Sequence, residues 1–118
     1  MGLQVFGTKK CPITRKAERF FKERDVDYQF IDLAEKGISP GELASVAAAV
    51  GKDALIDLES ERAKKRGLAY MDFEPEEEIL ADPLLLRTPV VRNGREAAIG
   101  EDAEAWEAFA KKLKQGSA

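Results

Sequence analysis

The chain lacks histidine altogether and has a single cysteine, Cys11, among its 118 residues. Without histidine, Ser–His and Cys–His catalysis and the usual zinc sites are excluded. Without a second cysteine, no disulfide can form inside these residues, which fits a reducing, cytoplasmic location. We therefore expect any nucleophile in this chain to be activated by nearby charge and by helix geometry, because no imidazole is present to act as a base.

The sequence also lacks a long apolar run and a strong excess of one charge. No apolar stretch is long enough to span a bilayer, and none follows Met1–Phe6 as it would in a signal peptide. The net charge is −3, with 35% of residues charged and both signs interspersed, so a nucleic-acid-backbone binder is not expected. With 44% apolar residues, we predict one globular domain over residues 1–118, with no membrane contact and no direct nucleic-acid contact.

Cys11 stands where a strand gives way to a helix. Pro12 suits the first helical position, because its missing N–H would have no partner there. That predicts Cys11 as the N-cap, with its thiolate stabilised by free N–H groups and by the helix dipole. Lys10 and Arg15 add positive charge, and the Thr14 hydroxyl is one turn away. A buried, inert cysteine, a Thr14 that only caps the helix and an Arg15 that is only solvated are the alternatives.

The order of elements predicts the fold class. A strand over residues 3–8, a helix after Cys11 and a strand near residues 28–33 form a βαβ unit. A helix capped by Ser39 follows, and residues 52–82 read as largely helical. Asn93-Gly94 predicts a hairpin turn between two further strands, and a last helix starts near residues 100–102. A βαβ unit followed by ββα, with a cysteine at the first helix, is the α/β thioredoxin-like plan.

The run Gly-Thr-Lys-Lys-Cys-Pro-Ile-Thr-Arg-Lys-Ala over residues 7–17 resembles the signature of the arsenate-reductase-like branch of the thioredoxin superfamily (the ArsC, Spx and YffB type). The resemblance continues through the helical segment, Leu-Arg-Thr-Pro-Val-Val over residues 86–91, the hairpin and the closing helix. It implies a four-stranded mixed sheet with a helical insertion between the βαβ and ββα halves. It also implies a cis peptide before Pro89, facing the cysteine.

Within this branch, the glutaredoxin-linked arsenate reductases carry Cys-x-x-Ser/Thr-Arg, which Cys11, Thr14 and Arg15 match. Those enzymes also hold the oxyanion with three arginines, and the equivalent positions here fall at or near Asp57, Thr88 and Gly100. Losing three such groups removes most of the charge complementarity that an arsenate dianion needs. Arginines at displaced positions are the substitutes that would keep arsenate reduction as an alternative: Arg62, Arg87, Arg92 and Arg95.

The Spx-type regulators usually carry Cys-x-x-Cys at this place as a redox switch. Thr14 occupies the second cysteine position, so the intramolecular switch is excluded. Docking on RNA polymerase stays open, because it depends on a surface that sequence patterns do not reveal. A non-enzymatic regulatory or interaction protein is therefore the second hypothesis.

The leading hypothesis is a monothiol oxidoreductase that uses Cys11 as its nucleophile. An external thiol would resolve the mixed disulfide, because the chain has no second cysteine. The resemblance points to glutathione, or glutaredoxin, as co-substrate, with no bound cofactor and no metal; a further protein partner is left open. We predict that the thiolate is stabilised by Lys10, Thr14 and Arg15, and that the substrate is bound beside Arg87, Thr88 and Pro89.

Overall fold

The computed structural model describes residues 2–116, and it has an α/β thioredoxin-like architecture. Three short 3-10 turns, at Lys52–Ala54, Leu68–Tyr70 and Pro83–Leu85, interrupt the segment between the second and third strands. The elements follow in the order β1 (Leu3–Gly7), α1 (Pro12–Glu23), β2 (Tyr28–Asp32), α2 (Pro40–Val50), α3 (Glu61–Arg66), α4 (Pro75–Ala81), β3 (Val90–Asn93), β4 (Glu96–Ile99) and α5 (Ala103–Gly116).

The four strands form one mixed sheet in the order β2-β1-β3-β4. β1 and β2 are parallel, as the βαβ unit requires, because a parallel pair needs a crossover connection and α1 supplies it. β3 is antiparallel to both β1 and β4. The mixed sheet and the βαβ–ββα order predicted from the sequence are confirmed.

Alternation along the central strands divides the core into two halves. Leu3 and Val5 of β1 face a cluster formed with α1 and α5, where Phe21 and Trp106 are buried. Phe6, the residue after Val5, faces the second cluster, which includes α2 and the helical insertion. Since successive side chains point to opposite faces, Gly7 belongs to the same face as Leu3 and Val5, toward α1.

The insertion is less helical than the sequence suggests. Only α3 and α4 are α-helical between residues 52 and 82. Gly67, with a φ of +66°, ends α3 in the left-handed conformation. The next α-helix, α4, begins at Pro75. A hydrogen bond joins the two ends of the insertion: Arg87 N–H donates to the Leu55 carbonyl at 2.7 Å.

The hairpin between β3 and β4 turns one residue later than its sequence predicts. Asn93 is still paired in the strand, opposite Glu96, so the two loop residues are Gly94 and Arg95. Gly94 has a φ of +64° and Arg95 does not have a positive φ, the pattern of a turn that needs glycine only at its first central position. The register of the ladder, and not the asparagine alone, therefore sets the turn.

Among residues 2–116, no helix combines the length and the apolar character that a membrane crossing requires.

Candidate active site

The candidate site lies at the edge of the sheet formed by the strand ends, where the central strand β1 ends and its neighbour β3 begins. Cys11 is the N-cap of α1, with φ −80° and ψ 116°, and Pro12 is the first helical residue, as predicted. The Cys11 N–H donates to the Thr8 carbonyl at 3.2 Å, and its own carbonyl accepts from Arg15 N–H at 3.2 Å. These two bonds hold the cysteine backbone between the loop and the helix, with the side chain half-buried.

Thr88 approaches the sulfur from the far end of the sequence. Its Oγ1 donates to the Cys11 Sγ at 3.2 Å, a contact between residues 77 positions apart. The Thr88–Pro89 peptide bond is cis. Gly100, at the end of β4, donates its N–H to the Pro89 carbonyl at 2.9 Å, which fixes this segment against the neighbouring strand. The side chain of Thr88 thus contacts the Cys11 sulfur directly.

Thr14 is completely buried one turn into α1, and its hydroxyl has no hydrogen-bond partner of ordinary geometry among the described residues. A buried hydroxyl without a partner costs free energy, so an ionised sulfur nearby gives this group the acceptor it lacks. Thr88, at 3.2 Å, is the better-defined donor to the resting sulfur.

Gly7 makes room for Thr14, a role that the sequence patterns did not indicate. A Cβ atom on Gly7 would lie 2.4 Å from the Thr14 Oγ1 and 2.5 Å from its Cγ2, distances far inside van der Waals contact. The absence of a side chain at the end of β1 therefore lets Thr14 sit directly against the strand. Strand alternation was the signal available beforehand, since it places residue 7 on the face that α1 covers.

Several donors act on the Cys11 thiol. Its partial burial raises the pKa, but this effect is outweighed by the hydroxyls of Thr14 and Thr88 and by the backbone amides of Thr14 and Ile13. The net result is a pKa below the ordinary value of a cysteine thiol. Hydroxyl and amide donors close to a sulfur favour its charged form, here in a setting where water is partly excluded.

The two cations predicted to stabilise the thiolate lie in solvent. Lys10 and Arg15 both have exposed side chains, and neither is among the groups that lower the pKa of Cys11. The donors that lower the pKa of Cys11 are hydroxyls and backbone amides. Stabilisation of the thiolate by Lys10 and Arg15 stays a prediction.

Arg87 lies beside the same sheet edge. Its Nε donates to the Ala54 carbonyl at 3.1 Å, and its Cδ would be 3.5 Å from a Cβ placed on Gly100. The side chain therefore runs past the position where the arsenate reductases are expected to carry an arginine. Its two terminal nitrogens have no partner among the described residues, so they are available to an anion.

The other three displaced arginines are engaged elsewhere or lie far from the sulfur. Arg62 pairs with Asp82 at 2.8 Å, and Arg92 donates to the side chain of Gln4 at 2.6 Å. Arg95 lies in the hairpin turn, at the edge of the sheet away from Cys11. Asn93, two positions before Arg95, pairs with the first residue of β1, whereas Cys11 follows the last. Of these four arginines, all within residues 2–116, Arg87 is therefore the one placed to replace a missing oxyanion ligand.

Within residues 2–116, no metal-ligand cluster marks the candidate site, and a sizeable cavity lies away from it. In the described part of the chain, no three His, Cys, Asp or Glu side chains are grouped so that they could hold a metal ion. A cavity of about 460 Å³, lined by Gly2, Tyr28, Arg92 and neighbours, opens at the other edge of the sheet. The location of the candidate site therefore rests on the chemistry of Cys11 and not on cavity size.

Comparison with known proteins points to one family. The sequence model of the ArsC family matches residues 6–109. Among solved structures, the YffB protein is 25% identical, with a TM-score of 0.81 over 92% of this chain and 98% of its own. An arsenate reductase from Vibrio cholerae is 19% identical, with a TM-score of 0.79 over 92% of this chain and 98% of its own.

A third structure, an arsenate reductase (ArsC) related protein from Brucella melitensis, is 23% identical, with a TM-score of 0.68. It covers 94% of this chain and 96% of its own length. Among curated proteins, none matches the sequence significantly. The likenesses below 25% identity bear on the fold, and the match to the family extends from β1 into α5.

Proposed function

Because this chain belongs to the ArsC family, we propose that it is a thiol-dependent oxidoreductase whose nucleophile is Cys11 and whose co-substrate is glutathione. The observation that carries the proposal is the lowered pKa of a lone N-cap cysteine, surrounded by the hydroxyls of Thr14 and Thr88. A thiolate is the reactive form in thiol–disulfide exchange. No second cysteine is present to resolve the product, so the reductant must come from outside.

The exchange runs in two balanced steps. The Cys11 thiolate attacks one sulfur of a disulfide, that S–S bond breaks, and the other sulfur leaves as a thiolate with the electron pair. A glutathione thiolate then attacks the mixed disulfide, forms a new disulfide and releases the Cys11 thiolate. The hydroxyls of Thr14 and Thr88 stabilise the charge on Cys11 each time it is the attacking or leaving group.

The segment before β3 is suited to hold the backbone of the thiol substrate. Neither the N–H nor the carbonyl of Thr88 is hydrogen-bonded to another described residue. Both are therefore free to pair with an extended peptide, in the manner of a strand added to a sheet edge. The free terminal nitrogens of Arg87 would bind a glutathione carboxylate, since guanidinium pairs well with that group.

Two measurements test the proposal. The rate of Cys11 alkylation by iodoacetamide, followed against pH, should reach half its maximum below the ~8.5 of an ordinary thiol. Oxidised glutathione should add one glutathionyl group by intact mass, reversible by a reductant and absent in Cys11→Ser. A rate that rises as for an unperturbed thiol, or an ionised Cys11 that captures no glutathione, would favour the non-enzymatic interaction protein.

A matched pair of variants separates binding from reactivity. Arg87→Gln should slow capture of oxidised glutathione and leave the pH profile of alkylation unchanged, because Arg87 does not act on the sulfur. Arg95→Gln removes the same charge at the opposite sheet edge and should change neither. Equal capture by both variants would rule out Arg87 as the carboxylate ligand.

Arsenate reduction is the second candidate, and the position of Arg87 beside Gly100 is the observation that favours it. We expect weak activity, since Asp57, Thr88 and Gly100 supply none of the expected cations. Arsenate with glutathione and glutaredoxin is the assay. Turnover of about 1 per second or faster, lost in Arg87→Gln, would establish arsenate as the substrate.

A further inference from the structure

Three cations form a stripe along the solvent side of α1. Arg15, Arg19 and Lys22 follow one another at i, i+4 and i+7, which places them on one face of the helix. We call these three residues the basic stripe. All three are exposed, opposite the apolar face on which Ala17 and Phe21 are buried. Cys11, four positions before Arg15, lies at the N-terminal end of the same helix face.

The basic stripe differs from its neighbouring cations in making no ion pair within the described part of the chain. The two other cations of α1 and its C-cap make ion pairs: Lys16 with Glu101, and Arg24 with Glu107 at 3.7 Å. No ion pair joins Arg15, Arg19 or Lys22 to any described residue. In a chain of net charge −3, a cationic face without internal partners is available to an external anion.

The surface of the stripe is also concave. Arg15, Arg19 and Lys22, together with Glu18, line a shallow cavity of about 300 Å³. Glu18, whose carboxylate accepts a hydrogen bond from the Tyr28 hydroxyl at 3.0 Å, is the one anion of this lining, so the three cations leave it positive. The exposed Lys9 and Lys10 continue the positive charge from the stripe across the loop before Cys11.

The length of the stripe indicates the size of its partner. Lys22 is eleven positions beyond Cys11, which is about 16 Å along a helix that rises 1.5 Å per residue. A tripeptide is at most about 10 Å long when fully extended. Glutathione bound at Cys11 therefore cannot cover the far end of the stripe, whereas a protein segment can.

We propose that the basic stripe docks an acidic protein segment whose own cysteine exchanges with Cys11. The inference rests on the proposed function, since it takes Cys11 as the attacking thiolate. The Cys11 thiolate attacks the partner's disulfide sulfur, the partner's S–S bond breaks, and its other sulfur leaves with the electron pair. The stripe raises the encounter rate by holding the partner's carboxylates beside the sulfur.

The probe is a pair of synthetic peptides, each of about ten residues, long enough to span the stripe in extended form. Each carries one cysteine as a mixed disulfide with thionitrobenzoate, whose release is followed by absorbance. One peptide has glutamates on both sides of the cysteine, so that its direction of binding does not matter. The other has glutamines in their place.

At about 0.02 M salt, the acidic peptide should react with the protein about tenfold faster than the neutral one, and this advantage should largely disappear at about 0.5 M. Arg19→Glu with Lys22→Glu should remove the advantage and leave the rate with the neutral peptide unchanged. Lys65→Glu with Lys111→Glu changes the net charge equally on α3 and α5, and it should retain the advantage.

Each other result overturns the inference. Equal rates for the two peptides on the unmodified protein would show that the stripe recognises no acidic segment. Loss of the advantage in the Lys65/Lys111 variant would assign it to overall charge. A Cys11 that reacts with neither peptide would remove the proposed function and the docking inference with it. An unchanged rate with the neutral peptide shows that the reactivity of Cys11 is the same in every variant.

Discussion

Replacing Gly7 with alanine tests how the structure lowers the pKa of Cys11. The new Cβ would be 2.4 Å from the Thr14 Oγ1 and 2.5 Å from its Cγ2. The strand cannot easily give way, because Gly7 pairs with Asp32 and its carbonyl accepts from Leu33 N–H at 2.9 Å. Gly7 does not have a positive φ, so alanine fits the backbone itself. The clash must therefore be relieved by a movement of Thr14.

The size of the steric overlap sets the expected changes in stability and in the pKa of Cys11. Ordinary contact begins near 3.4 Å, so the Thr14 side chain or the start of α1 must move by about 1 Å. Overpacking of this kind costs about 1–3 kcal/mol of stability. After burial, which acts in the opposite direction, the Thr14 hydroxyl has the largest effect on the Cys11 thiol. Its displacement should raise the pKa of Cys11, which slows alkylation at neutral pH.

The assay is the pH profile of iodoacetamide alkylation, with urea unfolding run on the same samples. Gly7→Ala should shift the alkylation midpoint upward and lower the urea midpoint. Thr14→Ala should raise the alkylation midpoint by a similar amount, because it removes the hydroxyl directly. In the Thr14→Ala background, Gly7→Ala should add little to the pKa, since both crowded atoms are gone and only the Thr14 Cβ, at 3.0 Å, is left.

Two results would refute this reasoning. If Gly7→Ala loses stability but keeps the wild-type alkylation midpoint, Thr14 does not act on the sulfur. If it raises the midpoint equally with and without the Thr14 hydroxyl, the change reaches Cys11 by another route. Thr14→Ser, which keeps the hydroxyl and removes Cγ2, should stay near the wild-type midpoint.

Three further predictions concern other contacts of the fold. Thr88→Val should raise the pKa of Cys11 by removing the 3.2 Å donor, which the same alkylation profile measures. The Arg62 hydrogen bond holds the pKa of Asp82 below its usual range. Asp82→Asn should therefore cost up to about 1 kcal/mol in urea unfolding at pH 7, a difference that shrinks as the pH falls through that lowered pKa. Burial and the bond to Glu18 raise the pKa of Tyr28 to about 12. Tyr28→Phe should lose about 1 kcal/mol below pH 10, and the loss should fade toward pH 12 as the wild-type phenol ionises; absorbance titration and unfolding measure both.

The sequence by itself determined the local features of this protein. Pro12 predicts Cys11 as the N-cap, because the missing N–H of proline is tolerated in the first turn of a helix. Ser39 begins α2 through its capping box with Glu42, in which each side chain bonds the other's backbone N–H. Short apolar stretches predicted the strands, and the order of these strands and the helices predicted the thioredoxin-like plan. Such signals are readable because the interacting groups are only a few positions apart.

Only the tertiary structure decided which groups surround the sulfur. Thr88 meets Cys11 across 77 positions, and that contact depends on β3 lying beside β1 in one register. Gly7 and Thr14 are close in sequence, but their fit depends on how α1 packs on the sheet, to within a few tenths of an ångström. Lys10 and Arg15, the cations that sequence proximity favoured, both have exposed side chains. Sequence spacing fixes neighbours along a chain, whereas packing between elements fixes which side-chain atoms touch.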